Sequence, residues 1–263
     1  MRLLAKMNFI TQIGRHVLDT LEKLGTLILF FIKTIVHCCR PPYFHQVILK
    51  QIIDIGFYSL PVVGLTTLFS GMVLALQSYN GFARFSSESA VATVVALSIT
   101  RELGPVLAGL MVTGRVGSSI AAELGSMKVT DQIDALKILA TNPFDYLIAP
   151  RVIACTVCLP VLVLIGDIIG ILGGFMVGVY KLGFNSSTYL NQTVSYLEIS
   201  DIVSGLIKAS VFGFLLGVMG CFHGYNCSRG AQGVGLATTN AVVSGCILIL
   251  IFNYLLTELF FTS

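Results

Sequence analysis

The chain has no tryptophan and very little charge. Asp, Glu, Lys and Arg make up 11% of its 263 residues, against about 25% in a soluble domain. With 55% hydrophobic residues and a mean hydropathy of +0.88, this excludes a water-soluble globule and leaves a polytopic membrane protein. Any aromatic belt must come from the nine Tyr and some of the 17 Phe. There is no GxxxxGK[ST] phosphate loop, so the chain does not hydrolyse ATP in the usual way. Basic runs and Cys/His finger spacings are also missing, which excludes a nucleic-acid module. No Ser/His/Asp or metal-ligand spacing rises above chance, and His16, His37, His45 and His223 are dispersed. The sequence therefore offers no catalytic residue, no metal ligand and no enzyme. The seven Cys are odd in number and scattered; the Cys155–Cys158 CxxC lies in an apolar run and reads as packing. Adjacent Cys38 and Cys39 fall near the expected cytoplasmic face, where thiols stay reduced. A cleavable signal peptide is excluded too, because the first apolar run, 24–36, contains Lys33 and lacks a small-residue cleavage site before Arg40-Pro41-Pro42.

What is present divides the chain at about residue 45. Residues 1–23 carry Arg2, Lys6, Arg15 and Lys23. Their apolar positions Leu3, Ile10, Ile13, Val17 and Leu21 lie mostly three or four apart. That pattern predicts a basic amphipathic helix, lying on an anionic membrane surface or on the chain's own cytoplasmic face. Residues 24–39 are too short to span and are expected to dip or lie at the interface. Residues 46–263 form a single all-α transmembrane domain of five spans, at about 52–76, 91–120, 148–179, 202–222 and 237–261. A polar turn ends the first span and 80–91 make a short outer loop. Residues 123–143 connect the second and third spans, with Thr130-Asp131-Gln132 capping a short helix through Lys137. Residues 181–200 form an outer loop with room for a short helix, and 223–236 a Gly-rich loop. Seven Lys/Arg in the first 50 residues, with Lys128, Lys137, Arg151 and Arg229, outweigh Arg84 and Lys181 opposite. The N-terminus is therefore expected in the cytoplasm and the C-terminus outside.

Ionised residues at membrane depth mark candidate functional sites. Arg101 and Glu102 lie roughly 15 Å from the outer end of the second span, at 1.5 Å per residue. Pro105 lacks the N–H that would bond the Arg101 carbonyl, so the helix is loosened there. The pair either faces an amphiphilic cavity, with Arg101 meeting a phosphate, or holds neighbouring helices. Asp167 is either a proton or ion site or, the reading preferred here, a partner of Arg101 or Arg115. Arg115 is expected to snorkel or pair with Glu123. Gly166, Gly170, Gly174 and Gly178 recur every four residues on one helical face, for packing inside the chain or for a dimer seam.

The stretch RELGPVLAGLMVTGRVGSSIAAELGSMKVTDQIDAL at 101–136 resembles the central motif of MlaE-type permeases, the membrane subunits of phospholipid ABC transporters. The likeness extends through GMVLALQSY (71–79), NPFDYLIAPRVIA (142–154), GGFMVGV (173–179), and FHGYN with GVGLATTNAVV (222–243), over about residues 45–260. It implies five spans behind interfacial N-terminal helices, in a homodimer in the bacterial inner membrane. An ABC ATPase subunit on the cytoplasmic face would consume the ATP and Mg, with no cofactor in this chain. An MCE-domain protein would stand on the periplasmic side, with a small STAS-domain subunit as an optional addition. A lipid pocket is implied near Leu74, Gln77, Tyr79, Arg101, Glu102 and Leu103. A coupling helix is implied within 123–136, using Glu123, Lys128, Thr130, Asp131, Gln132, Asp134 and Leu136. The residues alone leave two rivals: an ion- or proton-coupled carrier using Glu102 and Asp167, and a membrane anchor whose charges only hold helices.

Overall fold

A computed structural model describes residues 18, 21, 22, 24–41, 44–82 and 90–261. The amphipathic helix expected over 1–23 and the loop holding Arg84 therefore lie almost wholly outside the described residues. The described part is helical: α1 Leu24–Cys38, α2 His45–Phe82, α3 Val91–Val129, α4 Gln132–Ile138, α5 Phe144–Tyr180, α6 Ser186–Tyr196, α7 Ile199–Tyr225 and α8 Ala231–Phe261. α2, α3, α5, α7 and α8 are each long and apolar enough to cross a membrane. α1 is apolar but short.

These helices overrun the expected spans. α2 has 38 residues, about 57 Å at 1.5 Å each, against a hydrocarbon core of about 30 Å. Glu123 to Val129, expected as connection, continue α3, and α7 and α8 narrow the expected Gly-rich loop to 226–230. α6 fills most of the expected outer loop, where Asn185 caps it by accepting the Ser187 and Thr188 N–H groups. Asp131 does not cap α4 with its side chain; it adopts a left-handed φ of 57° at the turn instead.

α5 is the centre of the bundle, between α2 and α7, and α8 lies against α7 and α3. α2 and α5 touch backbone to backbone: a Cβ at Gly71 would strike the Gly170 carbonyl. α1 docks at one end through Phe30, 5% exposed, whose ring meets Phe144 at 5.3 Å and Phe222 at 5.4 Å. The same end carries α4 and the α7–α8 turn. Among the described residues α2 and α8 are the least covered spans, and α2 presents an exposed apolar stripe of Ile53, Phe57, Leu65, Phe69 and Val73.

Candidate functional site: a charge cluster beside an apolar cavity

α3 is not a regular helix. π-turns at Ile99–Leu103 and Thr113–Gly117 each interrupt it, as an extra residue per turn does where a functional side chain must be turned aside. The first π-turn ends at Pro105's turn and carries Arg101 and Glu102. The Arg101 carbonyl, which Pro105 cannot satisfy, accepts a hydrogen bond from Lys208 Nζ at 3.0 Å.

Lys208 has no solvent exposure. Its ammonium also reaches Glu102 Oε1 at 2.7 Å and Thr257 Oγ1 at 2.8 Å. Three donors thus meet three acceptors, the condition for burying a charge in an apolar bundle. Glu102 is further held by Thr257 Oγ1 at 3.0 Å and by Asn253 Nδ2 at 3.1 Å. Arg101 grips Asp201 Oδ1 through Nε at 2.7 Å and Nη2 at 2.6 Å. Asp201, 1% exposed, also accepts the Glu198 N–H at the start of α7. Two acids and two bases therefore tie α3 to α7 and α8, while Arg101 and Glu102 each keep 36% of their side-chain surface open.

Leu103, next in the chain, lines a 390 Å³ cavity with Phe69, Ser70, Val73, Leu74 and Gln77. Of the residues expected at a lipid pocket, Leu74, Gln77 and Leu103 come together here. Arg101 and Glu102 precede Leu103 on the same π-turn, but they turn to α7 and α8 and do not line the cavity. Tyr79 stands apart, its ring 5.8 Å from Phe184.

Two expected pairings are corrected. Asp167, 6% exposed, meets neither Arg101 nor Arg115. Its Oδ1 has no hydrogen-bond partner among the described residues, and it fills the space that a Cβ at Gly104 would occupy. Arg115 does not pair with Glu123. It donates to Ser59 Oγ at 2.6 Å and to the Asp54 carbonyl at 3.2 Å, because the second π-turn aims it at α2. Glu123 pairs with Arg151 at 3.0 Å.

Around α4, Asp134 joins Lys137 at 2.7 Å and Lys128 at 3.3 Å. Hydrogen bonds from Lys137 and then Lys128 hold its carboxyl below the ordinary value. Thr130 bonds back to the Ser126 carbonyl, Gln132 is exposed and Leu136 half-buried. Ile133 is fully buried and pins the helix, while Ile138 and Leu139 are 86% and 73% exposed. Gly166, Gly170, Gly174 and Gly178 face Thr67, Ile99, Val95 and Tyr189 of the same chain.

Lys208, Asp201, Asn253 and Thr257 were not among the expected site residues. Lys208 had a signal in the sequence, as the only Lys or Arg within 202–222; Asn253 and Thr257, one turn apart on α8, had none.

A helical bundle with five helices long and apolar enough to cross a membrane and a charge cluster paired inside it is a multi-pass membrane protein. The Permease MlaE family profile matches residues 48–259, and the chain belongs to that family. A probable ABC transporter permease protein of Rickettsia bellii is 58% identical over 255 residues, covering 97% of this chain and 98% of that one. The intermembrane phospholipid transport system permease protein MlaE of Haemophilus influenzae is 36% identical over 258 residues, with the same coverage of 97% and 98%. The chloroplastic protein TRIGALACTOSYLDIACYLGLYCEROL 1 of Arabidopsis thaliana is 38% identical over 213 residues, 81% of this chain and 61% of the relative.

Proposed function

We propose that this chain is the permease subunit of an ABC transporter that moves phospholipid between a bacterial inner membrane and an MCE-domain carrier on its outer side. A separate ATPase subunit burns ATP with Mg, and a homodimer of permeases is the working unit. In this reading the N-terminus is cytoplasmic, the C-terminus periplasmic, and α4 is the coupling helix, with Lys128, Thr130, Asp131, Gln132, Asp134 and Leu136 at the ATPase contact. The observation that carries it is that one π-turn of α3 holds both the half-open Arg101/Glu102 cluster and Leu103, which lines the apolar cavity with Leu74 and Gln77. An amphiphile needs that pairing: polar groups for its head and a dry wall for its tails. The relative named for intermembrane phospholipid transport supports the cargo class.

The test is to tag the C-terminus, extract the chain gently from its own membrane and identify every protein and lipid that accompanies it. An ABC ATPase, an MCE-domain protein and stoichiometric phospholipid are expected. A lone chain carrying only freely exchanging lipid overturns the proposal. Buried Asp167, whose Oδ1 has no hydrogen-bond partner among the described residues, favours a second reading, an ion- or proton-coupled carrier, which predicts transport that follows pH and ignores nucleotide.

A further inference from the structure

A second cavity lies on the same α2–α3 seam, toward the end that carries α1 and α4. It measures 340 Å³ and its polar wall is Gln51, Asp54, Tyr58, Arg115, Ser119 and Glu123. Gln51, Asp54 and Tyr58 are three and four apart, so they share one face of α2, and the second π-turn of α3 brings Arg115 opposite. Nothing in the charge cluster or in the α4 contacts uses these groups.

The charges here are arranged unlike those of the cluster. The Arg115 guanidinium meets only neutral oxygens, at Ser59 and the Asp54 carbonyl, and stands 5.8 Å over the Tyr58 ring. Among the described residues it forms no ion pair, and neither does the Asp54 carboxylate. Glu123 is engaged with Arg151. A guanidinium has five N–H donors, and two are committed to α2. Arg115 therefore has donors left for a planar or tetrahedral oxyanion. A simple anion would meet the Asp54 carboxylate in the same wall. A ligand with a phosphate and a nearby ammonium satisfies both, its cation falling between Asp54 and the Tyr58 ring.

The depth fits a lipid. Asp54 is two residues inside the apolar run that starts at Ile52, where a headgroup is expected if that run marks the hydrocarbon. From there the exposed stripe of α2, Phe57, Leu65 and Phe69 at 66%, 55% and 58%, leads along the seam to the 390 Å³ cavity, which Phe69 also lines. Ser59 and Ser70 are eleven residues apart, so roughly 17 Å of apolar helix separates the two sites.

We propose that the Arg115 cavity is a headgroup site for a zwitterionic phospholipid, with phosphate on Arg115 and ammonium at Asp54 and Tyr58. It is an inner station on the seam that ends at the outer cavity. This rests on the phospholipid reading above and adds a headgroup class and a second site to it.

The tagged complex is placed in nanodiscs of equal phosphatidylethanolamine and phosphatidylglycerol, re-extracted, and its retained lipids are quantified by mass spectrometry. Asp54→Asn, Tyr58→Leu and Arg115→Gln are treated alike. The outer cavity contributes equally to all four, so differences report the Arg115 site. Wild type is expected to favour phosphatidylethanolamine. Asp54→Asn shifts the ratio toward phosphatidylglycerol about tenfold, and Tyr58→Leu about threefold in the same direction. Arg115→Gln lowers retention of both lipids. Tyr58 is 59% exposed, so its variant folds even where Asp54→Asn does not. A wild-type protein without preference, or ratios unchanged in Asp54→Asn and Tyr58→Leu, overturns the site. ATP-driven phospholipid movement by the wild-type complex is measured in parallel. Its absence overturns the cargo reading, while the retained-lipid ratio still decides the headgroup site.

Discussion

Removing Lys208 is expected to be costly. Its side chain is wholly buried, and without it Glu102 loses its cation and keeps only neutral donors, Thr257 and Asn253. Breaking a buried pair by deleting one partner typically costs 3–5 kcal/mol; Glu102 is 36% exposed, so Lys208→Met is expected near the lower end, about 3 kcal/mol. Thermal unfolding of the detergent-solubilised chain measures it, and adding Glu102→Gln should return a large part of the loss. Asp134 gives a smaller, pH-dependent effect. Its folded pKa lies below the ordinary 3.8 because Lys137 and Lys128 donate to the carboxylate. The stabilisation is therefore fully present above 3.8 and is lost as pH falls through the lowered folded value. Stability measured from pH 6 down to 3 should show an acid-side decline that Asp134→Asn makes slightly shallower and high salt weakens. Arg101 and Glu102 were legible from sequence because ionised residues in an apolar run stand out. Their partners were not, because pairing across α3, α7 and α8 depends on helix rotation, and the π-turns that set it leave no mark in composition.

At the scale of elements, the five spans could be read from apolar length, but their ends could not. Helices continue past the hydrocarbon wherever nothing breaks them, and α3 carries Glu123 and Lys128 into the region expected to be loop. The α2–α5 crossing is set by glycine on both sides. Gly71→Val places a Cβ against the Gly170 carbonyl and is expected to cost about 1–3 kcal/mol by overpacking, read as a lower unfolding temperature. A Cβ at Gly81 on the same helix has no neighbour within 4 Å among the described residues, so Gly81→Val is the control. α4 makes the opposite prediction. Asp131 is exposed, so Asp131→Lys should leave unfolding unchanged and abolish co-purification of the ATPase. Normal co-purification of that variant would remove α4 from the coupling role.

For the whole molecule, sidedness is the first thing to measure. On a background without native cysteines, Ser187→Cys should react with a membrane-impermeant maleimide in intact spheroplasts. Thr141→Cys should react only after permeabilisation, and the reverse pattern would invert the proposed topology. The Arg101, Glu102, Asp201 and Lys208 cluster adds one consequence for energetics. It contains two positive and two negative charges, so it has no net charge to work against a transmembrane voltage. Moving one elementary charge across 100 mV involves about 2.3 kcal/mol; shifting a neutral quartet as a unit involves almost none. A cycle built on this cluster is electrically silent. With a zwitterionic cargo, its turnover should be the same in polarised and depolarised vesicles.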